Sequence, residues 1–388
     1  MFAQASVSSS DVAAVVGVPV PDPATTTTAQ STSTSSKNAT PANADDQVLV
    51  ATLGLFILDT FEWRSTTNPA QILRRSDLVI GGGGTYAILG ARMWLPPRQL
   101  GIIVDRGNDW DSLGEVEERL VKFGEEMWVW RDQKDVETCK ALNLYRGEHR
   151  DFKYLTPRIR LDPSVLPPRL RSAHSLHFVC SPSRAFEIIS QLEPTSTYPI
   201  RPLTFYEPIP DRCIPEELDA LKQVLGEIDV FSPNHEEASS FFGISTTEVI
   251  DRGLKGIEEL AHRFLELGSK SYVVLRSGAW GAYAIERDHP DQAFWMGPYH
   301  GYEKVVGVER GKVKDVTGAG NSFMGGLMSG LVQGKSLRES VRMGSISASF
   351  TIEQFGLPSM TLDEGGNELW NGALPADRLK EMRSRSPA

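Results

Sequence analysis

Short apolar runs and helix-length segments alternate along most of this chain, and that alternation restricts the fold more than any other feature. The runs lie at residues 48–54, 100–104, 175–180, 203–206, 230–232 and 271–275. Between them fall segments long enough for helices, at 86–94, 113–123, 184–192, 215–225 and 247–267. Runs this short and this apolar suit strands buried on both faces. Strand–helix alternation builds an α/β fold with a mostly parallel sheet covered by helices. In such sheets ligands sit beyond the carboxyl ends of the strands. Glycine, Asp and Asn clusters just after strands are therefore where chemistry is to be sought. Residues 60–80 and 125–160 fit the alternation less well. The second stretch holds Trp128, Trp130, Tyr145, Phe152 and Tyr154 among many charges. A small β lid, a partner surface or an irregular packed excursion would each suit it. No internal repeat is visible.

Composition narrows the function. The chain has 388 residues, and its first 46 are rich in Ser, Thr, Ala and Pro, with the run Thr25-Thr26-Thr27-Thr28. Such a segment buries too little apolar surface to offset its ordering entropy, so 1–46 is expected to be a disordered tail. Residues 47–360 are expected to form one domain, and 361–388 a C-terminal helix and tail. A formal charge of −10 argues against general nucleic-acid binding, which needs a basic surface to replace phosphate counterions. No stretch approaches the roughly 20 apolar residues of a membrane span. The nearest, 12–20, is short and carries Gly17 and Pro19. Lys37 is the only basic residue before the domain, so neither a secretory signal nor a transit peptide is expected. The sequon at Asn38 is then a chance match. Cys139, Cys180 and Cys213 are odd in number and widely spaced, which favours a reducing compartment, the cytoplasm. The seven histidines show no metal-ligand spacing, and no Gly-x-Ser-x-Gly elbow follows a strand.

The most informative segment is Asp315-Val316-Thr317-Gly318-Ala319-Gly320-Asn321-Ser322-Phe323-Met324-Gly325-Gly326. A turn of small residues opens an apolar helix, expected over 322–331. Amides at a helix start have no internal partners and carry partial positive charge. Glycines let them approach an anion closely, forming a phosphate cradle or a nest for a developing oxyanion. The string resembles the second signature of the pfkB family of carbohydrate and nucleoside kinases, which have the ribokinase-like fold. That resemblance implies a three-layer sandwich. It also implies that Gly318, Ala319 and Gly320 form an anion hole for the transferred phosphoryl group. At the family's catalytic Asp this chain has Asn321. Asn accepts a hydrogen bond and positions a hydroxyl, but it cannot take up a proton near neutral pH. General-base catalysis is worth roughly 10²–10⁴ in rate, so weakened turnover is expected.

Other segments resemble further family elements, each with a structural alternative. Asn234-His235-Glu236-Glu237 resembles the Asn-x-x-Glu motif, in which Glu237 would organise magnesium-bound water and Asn234 would lie along the triphosphate. The alternative is a helix start with Asn234 as its cap. Tyr272 to Tyr283 resembles a strand–Gly–x–x–Gly–strand element, with Gly278 and Gly281 beside the nucleotide; a plain hairpin would look alike. Arg276 stands where the family often has a small hydroxyl residue. Leu53-Gly54-Leu55-Phe56-Ile57-Leu58-Asp59 resembles the opening strand, whose Asp59 would bind acceptor hydroxyls or else sit in a surface turn. Gly81-Gly82-Gly83-Gly84-Thr85-Tyr86 resembles the first signature, with Gly82 and Gly83 near the substrate. Tyr86 falls where an Asn is usual. Asp315 matches a position that binds a monovalent cation, K⁺, or it caps the turn. Gly81 to Thr85, Asn321 and Glu207-Pro208 together resemble the divergent branch of fungal killer-virus maintenance proteins.

Two functions follow from the resemblance. One is an ATP-dependent phosphotransferase using Mg²⁺ and acting on a hydroxyl of a sugar, nucleoside or similar small molecule. The other is a pseudokinase that binds a nucleotide or metabolite and regulates a partner. An exposed lid sheet would also allow a homodimer.

Overall fold

The computed structural model describes residues 47–146, 149–192, 201–301 and 311–385. The Ser/Thr-rich tail, residues 1–46, lies outside them. The first strands are β1 (Val50–Thr52), β2 (Ile57–Arg64), β3 (Ile72–Gly81), β4 (Leu100–Arg106), β5 (Trp128–Asp132), β6 (Lys140–Arg146) and β7 (His149–Tyr154). They are followed by β8 (Ser175–Cys180), β9 (Leu203–Pro208), β10 (Val230–Phe231), β11 (Tyr272–Arg276), β12 (Ala282–Glu286), β13 (Phe294–Met296), β14 (Met360–Leu362) and β15 (Glu368–Trp370). The large sheet runs β13-β12-β11-β10-β9-β8-β1-β4-β5. From β5 to β11 every pairing is parallel, and β12 and β13 add an antiparallel edge. This is the doubly covered α/β sheet that the alternation of apolar runs requires.

The helices are α1 (Gly83–Arg92), α2 (Val116–Val121), α3 (Pro168–Arg171), α4 (Pro182–Ser190), α5 (Leu218–Leu225) and α6 (His235–Phe241). They continue with α7 (Thr246–Asp251), α8 (Leu254–Glu266), α9 (Ala319–Val332), α10 (Leu337–Thr351) and α11 (Pro375–Arg385). Neighbouring residues on each strand enter opposite cores. Val50, Ile102, Phe205 and Val274 pack with Ile88, Leu327 and Ile346 of α1, α9 and α10. Ala51, Ile103, Tyr206 and Val273 pack with Ile188, Leu221 and Leu260 of α4, α5 and α8. Residues beyond 360 join the first of these cores: Trp370 is fully buried, and Leu379 and Met382 pack beside it. No helix among the described residues is long and apolar enough to cross a membrane.

The poorly alternating stretches separate into two structures. A four-stranded sheet in the order β3-β2-β6-β7 forms the lid. Residues 128–132, grouped with that excursion on sequence, instead form β5 at the edge of the large sheet, with Ile102 opposite Trp128. The tryptophans provide the burial, and the charges lie at the strand's end. Two expected helices also differ. The segment 113–123 shortens to α2 after a 3-10 turn at Trp110–Ser112. The segment 247–267 divides into α7 and α8 at Gly253, whose φ of 61° no right-handed helix accommodates. The glycine-rich turn likewise starts its helix earlier than expected, at Ala319 rather than Ser322.

Helices α1 and α9 cross with almost no side chain between them. A Cβ on Gly90 would collide with the Ser322 carbonyl, and one on Gly325 with the Ala87 carbonyl. This contact seats the glycine-rich starts of both helices side by side. Gly325→Ala should therefore force backbone apart, lowering unfolding free energy by about 1–3 kcal/mol, the usual cost of overpacking. Gly297→Ala, where an added methyl meets open space, should change little. Urea unfolding of both variants checks the difference.

Candidate active site

The turn at Gly318 starts α9 in the way anion sites require. Gly318 is left-handed, with φ of 77°, and no side chain caps the helix. Ala319 N–H bonds the Val316 carbonyl and Ser322 N–H the Gly318 carbonyl. The amides of Gly320 and Asn321 have no acceptor among the described residues. Two side chains approach the turn. The Tyr86 ring packs where a Gly318 side chain would be, and the Arg276 guanidinium lies where a Gly320 side chain would be. Arg276 sits at the carboxyl end of β11 and brings a positive charge to the bare amides. Gly318, Ala319, Gly320 and Asn321 all line a cleft of about 1070 Å³, large enough for a nucleotide.

Asn321 is held by a buried carboxylate. Its Nδ2 donates to Glu207 Oε1 at 3.0 Å. Glu207 ends β9, is 2% exposed, and pairs with Arg276 Nη1 at 2.5 Å. His177 of β8 lies 2.7 Å away through Nε2, and its Nδ1 is 2.9 Å from Thr52 Oγ1. Thr52 Oγ1 already accepts from Gly54 N–H. The ionised Glu207 only accepts, so Nε2–H donates to it, and in that tautomer Nδ1 accepts from the Thr52 hydroxyl. Burial alone would raise the Glu207 pKa. Arg276, His177 and Asn321 together outweigh burial and hold it below the usual carboxylate value. With its nitrogen fixed on Glu207, Asn321 has its carboxamide oxygen free to accept from an incoming hydroxyl.

Asn234, Glu237, Gly278 and Gly281 also share the walls of this cleft. Asn234 does cap α6, in a full capping box: Glu237 N–H donates to its side chain, and its own N–H donates to Glu237. The capping alternative thus holds, while both residues still face the cleft. Burial raises the Glu237 pKa, against Arg276 at 3.5 Å and the Asn234 amide, which lower it. Gly278 and Gly281 take positive φ values of 55° and 89°, so the loop after β11 presents backbone to the cleft. Among the described residues no group of three or more His, Cys, Asp or Glu is gathered for a metal.

The acceptor-side residues gather beside the turn, outside this cleft. Asp59 on β2 is buried and accepts from Asn143 Nδ2 of β6 at 2.8 Å. A side chain on Gly81 would strike the Asp59 carboxylate and come within 3.5 Å of Tyr86. Tyr86 thus lies between the lid's acid and Gly318. Gly82 forms the N-cap of α1 with φ of 95°. A Cβ on Gly83 would lie 3.2 Å from Asn321 Nδ2. Asp315 accepts from the Thr317 amide and hydroxyl, the cap that was the alternative to a cation site; its second oxygen, Oδ2, is buried with no partner among the described residues. Tyr145 of the lid lies 3.3 Å from Thr317 Oγ1.

Several functional groups escaped sequence reasoning. His177 sat inside one apolar run and Glu207, noted only for the branch it resembles, just after another, without a spacing to link them. Arg276 was noted only as a departure, and Asn143 lay in the unassigned excursion. The one available signal was polarity itself: buried His or Glu in a parallel strand demands a partner.

The 197–363 segment matches the family model described as pfkB family carbohydrate kinase. Protein MAK32 of Saccharomyces cerevisiae is 34% identical over 89% of this chain and 94% of its own length. An uncharacterized protein of Schizosaccharomyces pombe is 30% identical over 85% of this chain and 91% of its own. In fold, the chain resembles a putative ribokinase II from E. coli in complex with ATP and Mg²⁺. The TM-score is 0.60 at 18% identity, over 87% of this chain and 99% of that one. With its glycine turn, parallel sheet and β lid, the chain belongs to the pfkB family of carbohydrate kinases, on the divergent fungal branch of its full-length relatives.

Proposed function

We propose that the protein is an ATP-dependent phosphotransferase that phosphorylates a hydroxyl of a sugar, nucleoside or similar small molecule. One observation carries it: unpartnered amides of Gly320 and Asn321, beside the Arg276 cation, close one end of a nucleotide-sized cleft. The cradle would take the terminal phosphate, with the rest of the nucleotide along Asn234, Gly278 and Gly281. Asp59 would orient the acceptor from the lid side. Mg²⁺, when bound, neutralises phosphate charge. Glu237 would hold it through water, which suits an ion that keeps most of its hydration. K⁺ would sit at Asp315, whose buried Oδ2 has no donor. The three cysteines are free and would stay so in the cytoplasm. The lid exposes Ile72, Leu73 and Phe152, where a second copy would pair.

Asn321 would work as an orienting acceptor. Anchored on Glu207, its carboxamide oxygen receives the hydroxyl and aligns it with the cradle. The loose transition state of phosphoryl transfer needs little early proton removal, so turnover is slowed rather than abolished. A regulatory, non-catalytic role is the second possibility. It is favoured by the same contact, because the ionised Glu207 is engaged by three donors and Asn321 itself cannot take up a proton.

Exchange of charge between the two positions tests the proposal. Asn321→Asp alone sets two carboxylates about 3 Å apart, which cannot both ionise freely; its gain should be small and should grow with pH. Asn321→Asp with Glu207→Gln restores one carboxylate held by an amide. It should raise turnover by about 10²–10⁴ in a coupled ADP-release assay across a panel of sugars and nucleosides. No ATP-induced thermal shift and no turnover in any of these forms would exclude kinase activity.

Glu237 gives a second check. Its pKa is pushed up to about 7, from an ordinary 4.5. Between those values the folded protein holds a proton that the unfolded chain releases, so stability falls as pH rises through the window. The melting temperature of the wild type should decline across it. Glu237→Gln, which keeps an oxygen for the Asn234 amide, should flatten that decline.

A further inference from the structure

Gly83 belongs to two surroundings. Its α-carbon faces Asn321, and its backbone helps line a second cavity of about 140 Å³. The walls come from segments past the carboxyl ends of β1 and β8, from the stretch after β7, and from the first turn of α4. Three arginines line it, Arg158, Arg160 and Arg184, and no Asp or Glu is among the lining residues. Arg184 is already neutralised by Asp162 at 3.2 Å and Glu187 at 2.7 Å. Its Nε is nevertheless buried without a partner among the described residues. Arg158 stacks over the Tyr154 ring at 4.6 Å. Neither Arg158 nor Arg160 pairs with a carboxylate among the described residues. Ser181 caps α4 at the same wall, adding the positive end of a nine-residue helix. Arg158 also hydrogen-bonds the Tyr154 hydroxyl, so in a chain of formal charge −10 this cavity keeps two arginines without a carboxylate partner among the described residues, a surrounding that favours an external anion.

We infer that this cavity is an anion subsite, and that the acceptor is a small alcohol bearing a phosphate or carboxylate group. The inference rests on the proposed phosphotransfer for the word acceptor, and on the cavity alone for the anion. The anionic group would seat among Arg158, Arg160 and the start of α4. The hydroxyl would extend past Gly83, which offers no side chain to block it, toward the Asn321 carboxamide. A guanidinium fork suits the planar, bidentate recognition of either anion.

The full-length protein without nucleotide is titrated with inorganic phosphate, and separately with acetate, at ionic strength matched by chloride. Phosphate, acetate or both should raise the melting temperature above the chloride control. A response to phosphate alone assigns a phosphoryl-bearing acceptor, and one to acetate alone a carboxylate. In Arg158→Gln/Arg160→Gln that affinity should fall by about tenfold or more, the scale of one charge-assisted hydrogen bond. The melting temperature without anion should stay in place. Arg160→Gln alone removes the more exposed cation and keeps the test decisive if the double variant folds poorly. Phosphate held at the glycine turn would respond to Gly320→Ala and not to the arginine variants, so the subsite and the nucleotide cradle fail separately. Anion binding unchanged in both arginine variants, or no response beyond chloride, overturns the inference.

Discussion

A single buried carboxylate organises this molecule. Glu207 draws Asn321 from the start of α9, His177 from β8 and Arg276 from β11 onto one side chain at the end of β9. Removing such a charge from water costs several kcal/mol, and only a full set of donors offsets that. The requirement runs outward. His177 needs Thr52, and Thr52 is in turn fixed by Gly54. The position of the glycine turn relative to the sheet therefore depends on an electrostatic demand in the core as well as on helix packing. Loss of any one donor would leave an ion without compensation in a dry site.

The same arrangement explains how a family built on a catalytic acid can tolerate an amide at 321. Two carboxylates at this separation would share a proton. An amide beside a carboxylate is instead a satisfied pair, with the negative charge on Glu207, itself in the cleft wall. Arg276 completes the balance by facing both Glu207 and the bare amides.

The sheet, the lid and the order of the site elements were legible because each depends on local patterning. Apolar runs mark parallel strands, glycines mark turns, and Gly318 with Gly320 marks a helix start with free amides. Asn234 was legible in both its roles at once, since a capping box and a cleft wall occupy the same helix end. The partnership of His177 with Glu207 was not legible, because residues 30 positions apart in neighbouring strands show no periodic link. Residues 128–132 were placed with the lid because charges around them diluted an apolar signal that two tryptophans restore by burial. Tyr86 could be counted into the first signature, but its packing on Gly318 follows from a helix crossing that no linear spacing records.

Tyr86 wedged against Gly318 has a mechanical consequence. Its helix carries the first glycine cluster and its ring rests on the second, so the two cannot drift apart without opening a void. Tyr145 tethers the lid to the same assembly through Thr317, while Asn143 holds Asp59 within the lid sheet. The position of the lid and the geometry of the glycine turn are thereby linked through two tyrosines, so a substitution in either one is felt by both.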